Sequence, residues 1–221
     1  MLGNGERLCR PGLFPPAFSM PPLRALPHKD DIAAMEPFTG LLLENIFVVT
    51  DERQAALAVE ELMQAGVVGF DTESRPTFQK GEKSEGPHVL QFATGQKAFI
   101  FQSHVVEAQP AIISLLQTDK LNKIGFDMRG DLRQISDRFG IRPAALVDLD
   151  RSFMKLGYRN SVGAKSAVAM LFNRKLVKSK SITTSNWAEK RLTDRQLIYA
   201  ANDAYAAIKV YEALQTLAKG G

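Results

Sequence analysis

Val67-Val-Gly-Phe-Asp-Thr-Glu73 joins a short apolar run to two carboxylates. Side chains on a strand alternate between faces, so Asp71 and Glu73 point the same way. An acid that directly follows apolar residues of a central strand is costly to bury unless something pairs with it, and a divalent cation supplies such pairing. Taken alone, Asp-x-Glu at a strand end is more often a solvated rim. Further acids downstream shift that balance. Gln196-Leu-Ile-Tyr-Ala-Ala-Asn-Asp-Ala-Tyr205 reads as helix, which sets Tyr199 and Asp203 on one face, four residues apart. By itself this spacing also fits an amphipathic helix with a tyrosine snorkelling at its edge. Asp131 lies between the two stretches. Four carboxylates without a histidine or cysteine cluster form an oxygen-only donor set, which suits Mg²⁺ or Mn²⁺ rather than structural zinc. Such a set points to phosphoryl transfer on a nucleic acid.

Outward from this stretch, strands and helices alternate. The pattern predicts a strand over 46–49, a helix over 51–64, and strands over 67–71, 88–93 and 98–101. A helix near 106–116, a short strand over 123–126, a helix across 131–139 and a strand over 145–149 follow, and two or three helices close the chain. Residues 74–86 are polar, contain Lys80, Lys83 and two glycines, and read as a mobile loop beside the acids. Thr193-Asp-Arg-Gln196 has capping-box spacing, with Leu192 and Leu197 placed for a hydrophobic staple. Strands in the first half and helices in the second predict an α/β domain built on a mixed sheet.

Composition bounds the rest. The 221 residues suffice for one domain with a substantial core, and 45% hydrophobic with 24% charged is ordinary for a globular chain. Lys plus Arg exceed Asp plus Glu by 28 to 24, an excess that permits an anionic partner without demanding one. Cys9 is the only cysteine, which excludes an intramolecular disulfide and a multi-cysteine metal site and fits a reducing cytoplasm. No apolar run is long enough to span a bilayer, so no membrane partner is expected. Residues 1–37 hold seven of the eleven prolines and read as a Pro-rich, disordered leader, leaving 38–219 as the folded domain.

Phe70-Asp-Thr-Glu73, Gly130-Asp-Leu132 and Tyr199-Ala-Ala-Asn-Asp203 together resemble the three motifs of the DEDD 3′-5′ exonucleases, in the subgroup with tyrosine in the third motif. The chain is most similar to the Werner-type exonuclease domain and its stand-alone relatives, and more distantly to ribonuclease D. Lys178-Ser-Lys-Ser-Ile-Thr-Thr-Ser-Asn-Trp187 and the segment after it share the Werner-type spacing, so the likeness covers roughly residues 42–218. It implies a ribonuclease H-like fold, a mixed five- or six-stranded sheet flanked by helices. It also implies a catalytic set of Asp71, Glu73, Asp131, Tyr199 and Asp203. The four acids would hold two divalent cations, Mg²⁺ or Mn²⁺, while Tyr199 aims the attacking water. Asp127, four residues before Asp131, is the other candidate for the second-motif acid, and its alternative role is to start a helix. Ala164 departs from the leucine usual among relatives at that helix start.

The substrate implied is DNA or RNA with a 3′ end. Leu90, Gln91 and Phe92 follow the resemblance to a strand bordering the terminal nucleotide, although as bare sequence they read as core, and Thr72 within the first motif is a further candidate for substrate contact. Lys178 and Lys180, in a basic run with Arg174 and Lys175, are candidates for phosphate contact, with a solvated loop as the alternative. Trp187 offers a stacking surface or a packing anchor. An accessory or targeting protein is the expected source of processivity. Two other classes fit parts of the pattern: a nucleic-acid-binding scaffold without turnover, which the complete acid set opposes, and a hydrolase of small phosphate esters.

Overall fold

The computed structural model describes residues 25–77 and 84–219. Their elements run α1 (Lys29–Ala34), β1 (Ile46–Val49), α2 (Glu52–Ala65), β2 (Val67–Glu73), β3 (Val89–Ala93), β4 (Ala98–Gln102), α3 (Gln109–Gln117), β5 (Asn122–Gly125), α4 (Arg129–Phe139), β6 (Leu146–Asp148), α5 (Leu149–Lys155), α6 (Ala164–Phe172), α7 (Lys180–Thr183) and α8 (Asp194–Lys219). Local chemistry explains the boundaries. Asp51 caps α2 by accepting from the Gln54 amide at 2.8 Å, and Gly66 ends the helix at φ 67°, a left-handed turn that glycine adopts without strain. Thr193 and Gln196 form the expected capping box at the start of α8: the Thr193 amide donates to Gln196 Oε1 at 3.0 Å, and the Gln196 amide donates to Thr193 Oγ1 at 3.3 Å. Leu192 and Leu197 join the same apolar cluster. Four helices follow β6 rather than two or three, because α7 is a single turn that carries no periodic signal.

The six strands form one mixed sheet in the order β1-β4-β3-β2-β5-β6. Its interior strand β2 pairs antiparallel with β3, where Asp71 stands opposite Gln91, and parallel with β5. Strand parity then divides the molecule into layers. Val68, Phe70 and Thr72 face one way, and Val68 and Phe70 pack with Leu62 of α2, Leu115 of α3 and Ile135 of α4. Gly69, Asp71 and Glu73 face the other way, toward α8. Phe70, Phe92 and Phe101 are all but fully buried, with ring centroids 5.0 and 5.7 Å apart in sequence. Each such ring contributes roughly 1.5–3 kcal/mol by leaving water.

One boundary departs from the sequence reading, and one buried lysine adds a feature that reading does not address. Order reaches back before residue 38: α1 precedes it, Phe38 donates its amide to the Lys175 carbonyl at 2.9 Å, Lys175 returns its own amide to Glu36 O at 2.9 Å, and Leu26 packs beside α6 and α8. The remainder of the expected leader, residues 1–24, and the loop lysines Lys80 and Lys83 lie outside the described residues. Lys123 of β5 is fully buried and closes the C-terminus of α3, donating to the carbonyls of Leu115, Leu116 and Thr118 at 3.0, 3.3 and 2.8 Å. Burial pushes its ammonium down to about 8. Among the described residues, no helix is long and apolar enough to cross a membrane.

Candidate active site

The acids gather at the C-terminal end of β2. Asp71 and Glu73 project from its α8 face, and Asp203 meets them from α8, so that ligand oxygens from all three lie within 4.8 Å of one another. Asp131 stands apart from this trio. It sits in the first turn of α4, in the opposite layer, and accepts a short hydrogen bond from the hydroxyl of Thr72. Parity explains the split: Thr72 faces α4 while its two acidic neighbours face α8. Thr72, expected at the substrate, is buried and serves here as the tie between β2 and Asp131.

Burial raises every acid, and like charges within the cluster add to it at Asp71 and Glu73. Burial, then the charges of Asp203 and Asp131, push Asp71 up to about 8. Burial and the Asp71 and Asp203 charges push Glu73 up to about 9. Burial also raises Asp131 and Asp203, although the Thr72 hydroxyl restrains the first and Lys178 the second. Asp127 lies outside the cluster, at φ 43° just before α4, with its amide donating to Asp148 Oδ1 at 3.2 Å. Carboxyls that resist ionisation together, with only oxygen donors among them, fit a hard divalent cation.

Tyr199 lies one helical turn before Asp203. Its hydroxyl is 2.9 Å from the hydroxyl of Thr183 at the end of α7, a partner the linear pattern does not reveal. Burial and the Asp203 charge push the phenol up to about 12. The Trp187 ring, fully buried, packs 5.9 Å from that of Tyr199, and its indole N–H donates to the Thr183 carbonyl at 3.3 Å. This burial removes Trp187 from the substrate contacts and makes it the anchor behind Tyr199.

Phe92 is corrected for the same reason, since its ring is fully buried between Phe70 and Phe101 on the face away from α8. Gln91 is on the Asp71 face but fully enclosed, with neither side-chain polar atom hydrogen-bonded, so it too is withdrawn from direct substrate contact. The basic run divides. Arg174 and Lys180 are exposed, Lys175 Nζ donates to Ala33 O at 3.0 Å, and Lys178 turns into the site to pair with Asp203 Oδ2 at 2.8 Å.

The family model described as 3′-5′ exonuclease matches residues 46–219, the whole of the sheet and all four acids. The chain belongs to the 3′-5′ exonuclease family. Within that family it is 30% identical over 158 residues, 71% of this chain, to the mouse (Mus musculus) bifunctional 3′-5′ exonuclease/ATP-dependent helicase WRN. That relative is far longer, and the chain spans 11% of it. The Aedes aegypti Nibbler EXO domain superposes with a TM-score of 0.69 at 20% identity, over 81% of this chain and 91% of that one. Trypanosoma brucei RNase D in complex with RNA U12 superposes with a TM-score of 0.67 at 21% identity, over 76% and 62% of the two chains. These likenesses bear out the ribonuclease H-like fold expected of this exonuclease domain.

Proposed function

We propose that this exonuclease domain removes nucleotides stepwise from the 3′ end of a nucleic acid, DNA in preference to RNA, releasing nucleoside 5′-monophosphates with the help of two divalent cations, Mg²⁺ or Mn²⁺. The observation that carries the reading is the convergence of Asp71, Glu73 and Asp203 within 4.8 Å, with Tyr199 one turn from Asp203. Cations bound there would neutralise the acids, lower the pKa of a water molecule and stabilise charge on the departing 3′ oxygen. Asp71, Glu73 and Asp203 would be the direct ligands, and Asp131, steadied by Thr72, would complete the set from the other layer. Tyr199 stays protonated at neutral pH, so its hydroxyl orients the attacking water instead of taking its proton. Arg174 and Lys180, both exposed, would meet backbone phosphates.

DNA is favoured because the mouse relative, a 3′-5′ exonuclease joined to a helicase, is 30% identical. The relative solved with RNA makes RNA the competing substrate. An accessory protein that targets the domain belongs to the same proposal. The test is incubation with 5′-labelled single-stranded and 3′-recessed DNA and matching RNA, in Mg²⁺ or Mn²⁺, with EDTA and Asp71→Ala controls. A metal-dependent ladder shortening from the 3′ end, fastest on DNA, supports the proposal. Intact label in every lane, with binding retained, overturns it in favour of a scaffold.

A further inference from the structure

Among the described residues, Lys178 is the cation that ion-pairs within the acid cluster, whereas Lys165, exposed, acts on Asp203 through its charge alone. Its Nζ lies 2.8 Å from Asp203 Oδ2, its side chain is only 26% exposed, and it sits 5.9 Å over the Tyr199 ring. Leu176, two residues earlier, is buried and pins the backbone, whereas Val177 and Lys180 on either side face solvent. The inward turn therefore belongs to this side chain and is not shared by the whole basic run. The same ammonium also lowers the pKa values of Asp71 and Glu73, so its field reaches all three clustered acids.

We infer that Lys178 is a tethered counter-ion that competes with metal for Asp203 and transfers to the substrate phosphate when the site fills. The inference rests on the metal-centre reading above. Two divalent cations balance four carboxylates, which leaves the ammonium as surplus positive charge in a site partly closed to water. Like charges repel strongly at such separations. A phosphate brings the negative charge that makes all three cations compatible. Lysine suits the transfer because its ammonium is a compact point charge on a flexible stem and can leave Asp203 without backbone movement. The consequence is an order of assembly: metal binds weakly to the free protein and tightly once a phosphate is present, and by linkage phosphate binding is strengthened equally by metal.

The experiment is a calorimetric Mn²⁺ titration of the wild type, Lys178→Met, Lys178→Gln and Lys190→Met, each with and without 2′-deoxyadenosine 5′-monophosphate. Lys178→Gln keeps a donor for Asp203 and tests the same loss of charge should the methionine variant fail to fold. Both neutral variants should bind Mn²⁺ alone at least about tenfold more tightly than wild type, equivalent to about 1.4 kcal/mol. They should also lose most of the extra tightening that the nucleotide gives the wild type. Lys190, exposed, controls for net charge, and its variant should match wild type. Equal or weaker Mn²⁺ binding by the neutral Lys178 variants overturns the inference and leaves the metal centre standing, because it makes Lys178 a prop that positions Asp203. Absence of Mn²⁺ binding by all four proteins overturns both.

Discussion

Gly69 of β2 and Ala204 of α8 meet backbone to backbone, and a Cβ on residue 69 would overlap the Ala204 carbonyl oxygen. The contact falls two residues before Asp71 on the strand and one residue after Asp203 on the helix. It therefore governs how near the two carboxylates come. Ala200, Ala201 and Ala207, all buried, continue the close fit of α8 against the sheet.

Gly69→Ala should force α8 away from β2. Overpacking of this kind costs about 1–3 kcal/mol, and the displaced Asp203 should weaken Mn²⁺ binding as well. Urea denaturation and Mn²⁺ calorimetry on the same preparation check both effects. If stability drops while metal affinity holds, the glycine serves packing alone and does not set the carboxylate spacing.

Asp71→Ala should fold, and in the absence of metal it should be at least as stable as wild type. The substitution removes a carboxyl that burial and the Asp203 and Asp131 charges already push up to about 8. Mn²⁺ at about a hundredfold above its dissociation constant should stabilise the wild type by about 2.7 kcal/mol and the variant scarcely at all. Chemical denaturation with and without Mn²⁺ reads the difference. Equal stabilisation of both proteins by metal would place the cation elsewhere.

Without metal, stability should fall as pH rises through the range where Asp71 and Glu73 hold protons only in the folded state. Unfolded, they release them near 3.8 and 4.5; folded, near about 8 and about 9. Between those limits the native protein binds more protons than the unfolded chain, so each step up in pH favours unfolding. The loss starts near pH 4 and is complete above about 9. Metal takes the place of the protons, so the stabilisation given by Mn²⁺ should grow over the same interval. Melting temperatures recorded across it with and without Mn²⁺ decide the matter, and a metal-free profile without slope would show that the acids are not crowded in solution.

The site was readable in one dimension wherever geometry is local. Asp71 with Glu73 follows from the two-residue period of a strand, Tyr199 with Asp203 from the turn of a helix, and the start of α8 from the Thr193 and Gln196 side chains. What depends on how layers meet was not. Phe92 borders substrate by resemblance and Trp187 reads as either a stacking surface or a packing anchor, yet burial is decided by which sheet face and which helix cover them. Lys178 lies in an irregular stretch, and no period foretells that it turns inward while Lys180 stays in solvent. Gly69 carries no chemistry of its own and matters only because α8 rests against it. Lys123 reads as an ordinary charge in a short strand, and its three carbonyl partners come from the neighbouring helix and the turn after it.

Tyr199 receives its orientation from Thr183, and Trp187 in turn holds Thr183 through the indole N–H at 3.3 Å. With its phenol pushed up to about 12, Tyr199 remains neutral over the working range, so the hydroxyl acts by direction and not by proton uptake. Tyr199→Phe should leave Mn²⁺ affinity unchanged and slow hydrolysis by roughly a hundredfold, the order of loss expected when a reacting water is mispositioned. Thr183→Val keeps the phenol but frees its rotation, and a smaller loss of several-fold is expected. Single-turnover rates on 5′-labelled oligonucleotide, measured from about pH 6 to about pH 9, test both variants. The shape of the pH profile should be the same in all three proteins, since the tyrosine does not titrate there. An unchanged rate in Tyr199→Phe removes the tyrosine from the mechanism. A Thr183→Val loss as large as that of Tyr199→Phe would instead show that orientation accounts for the whole contribution of the phenol.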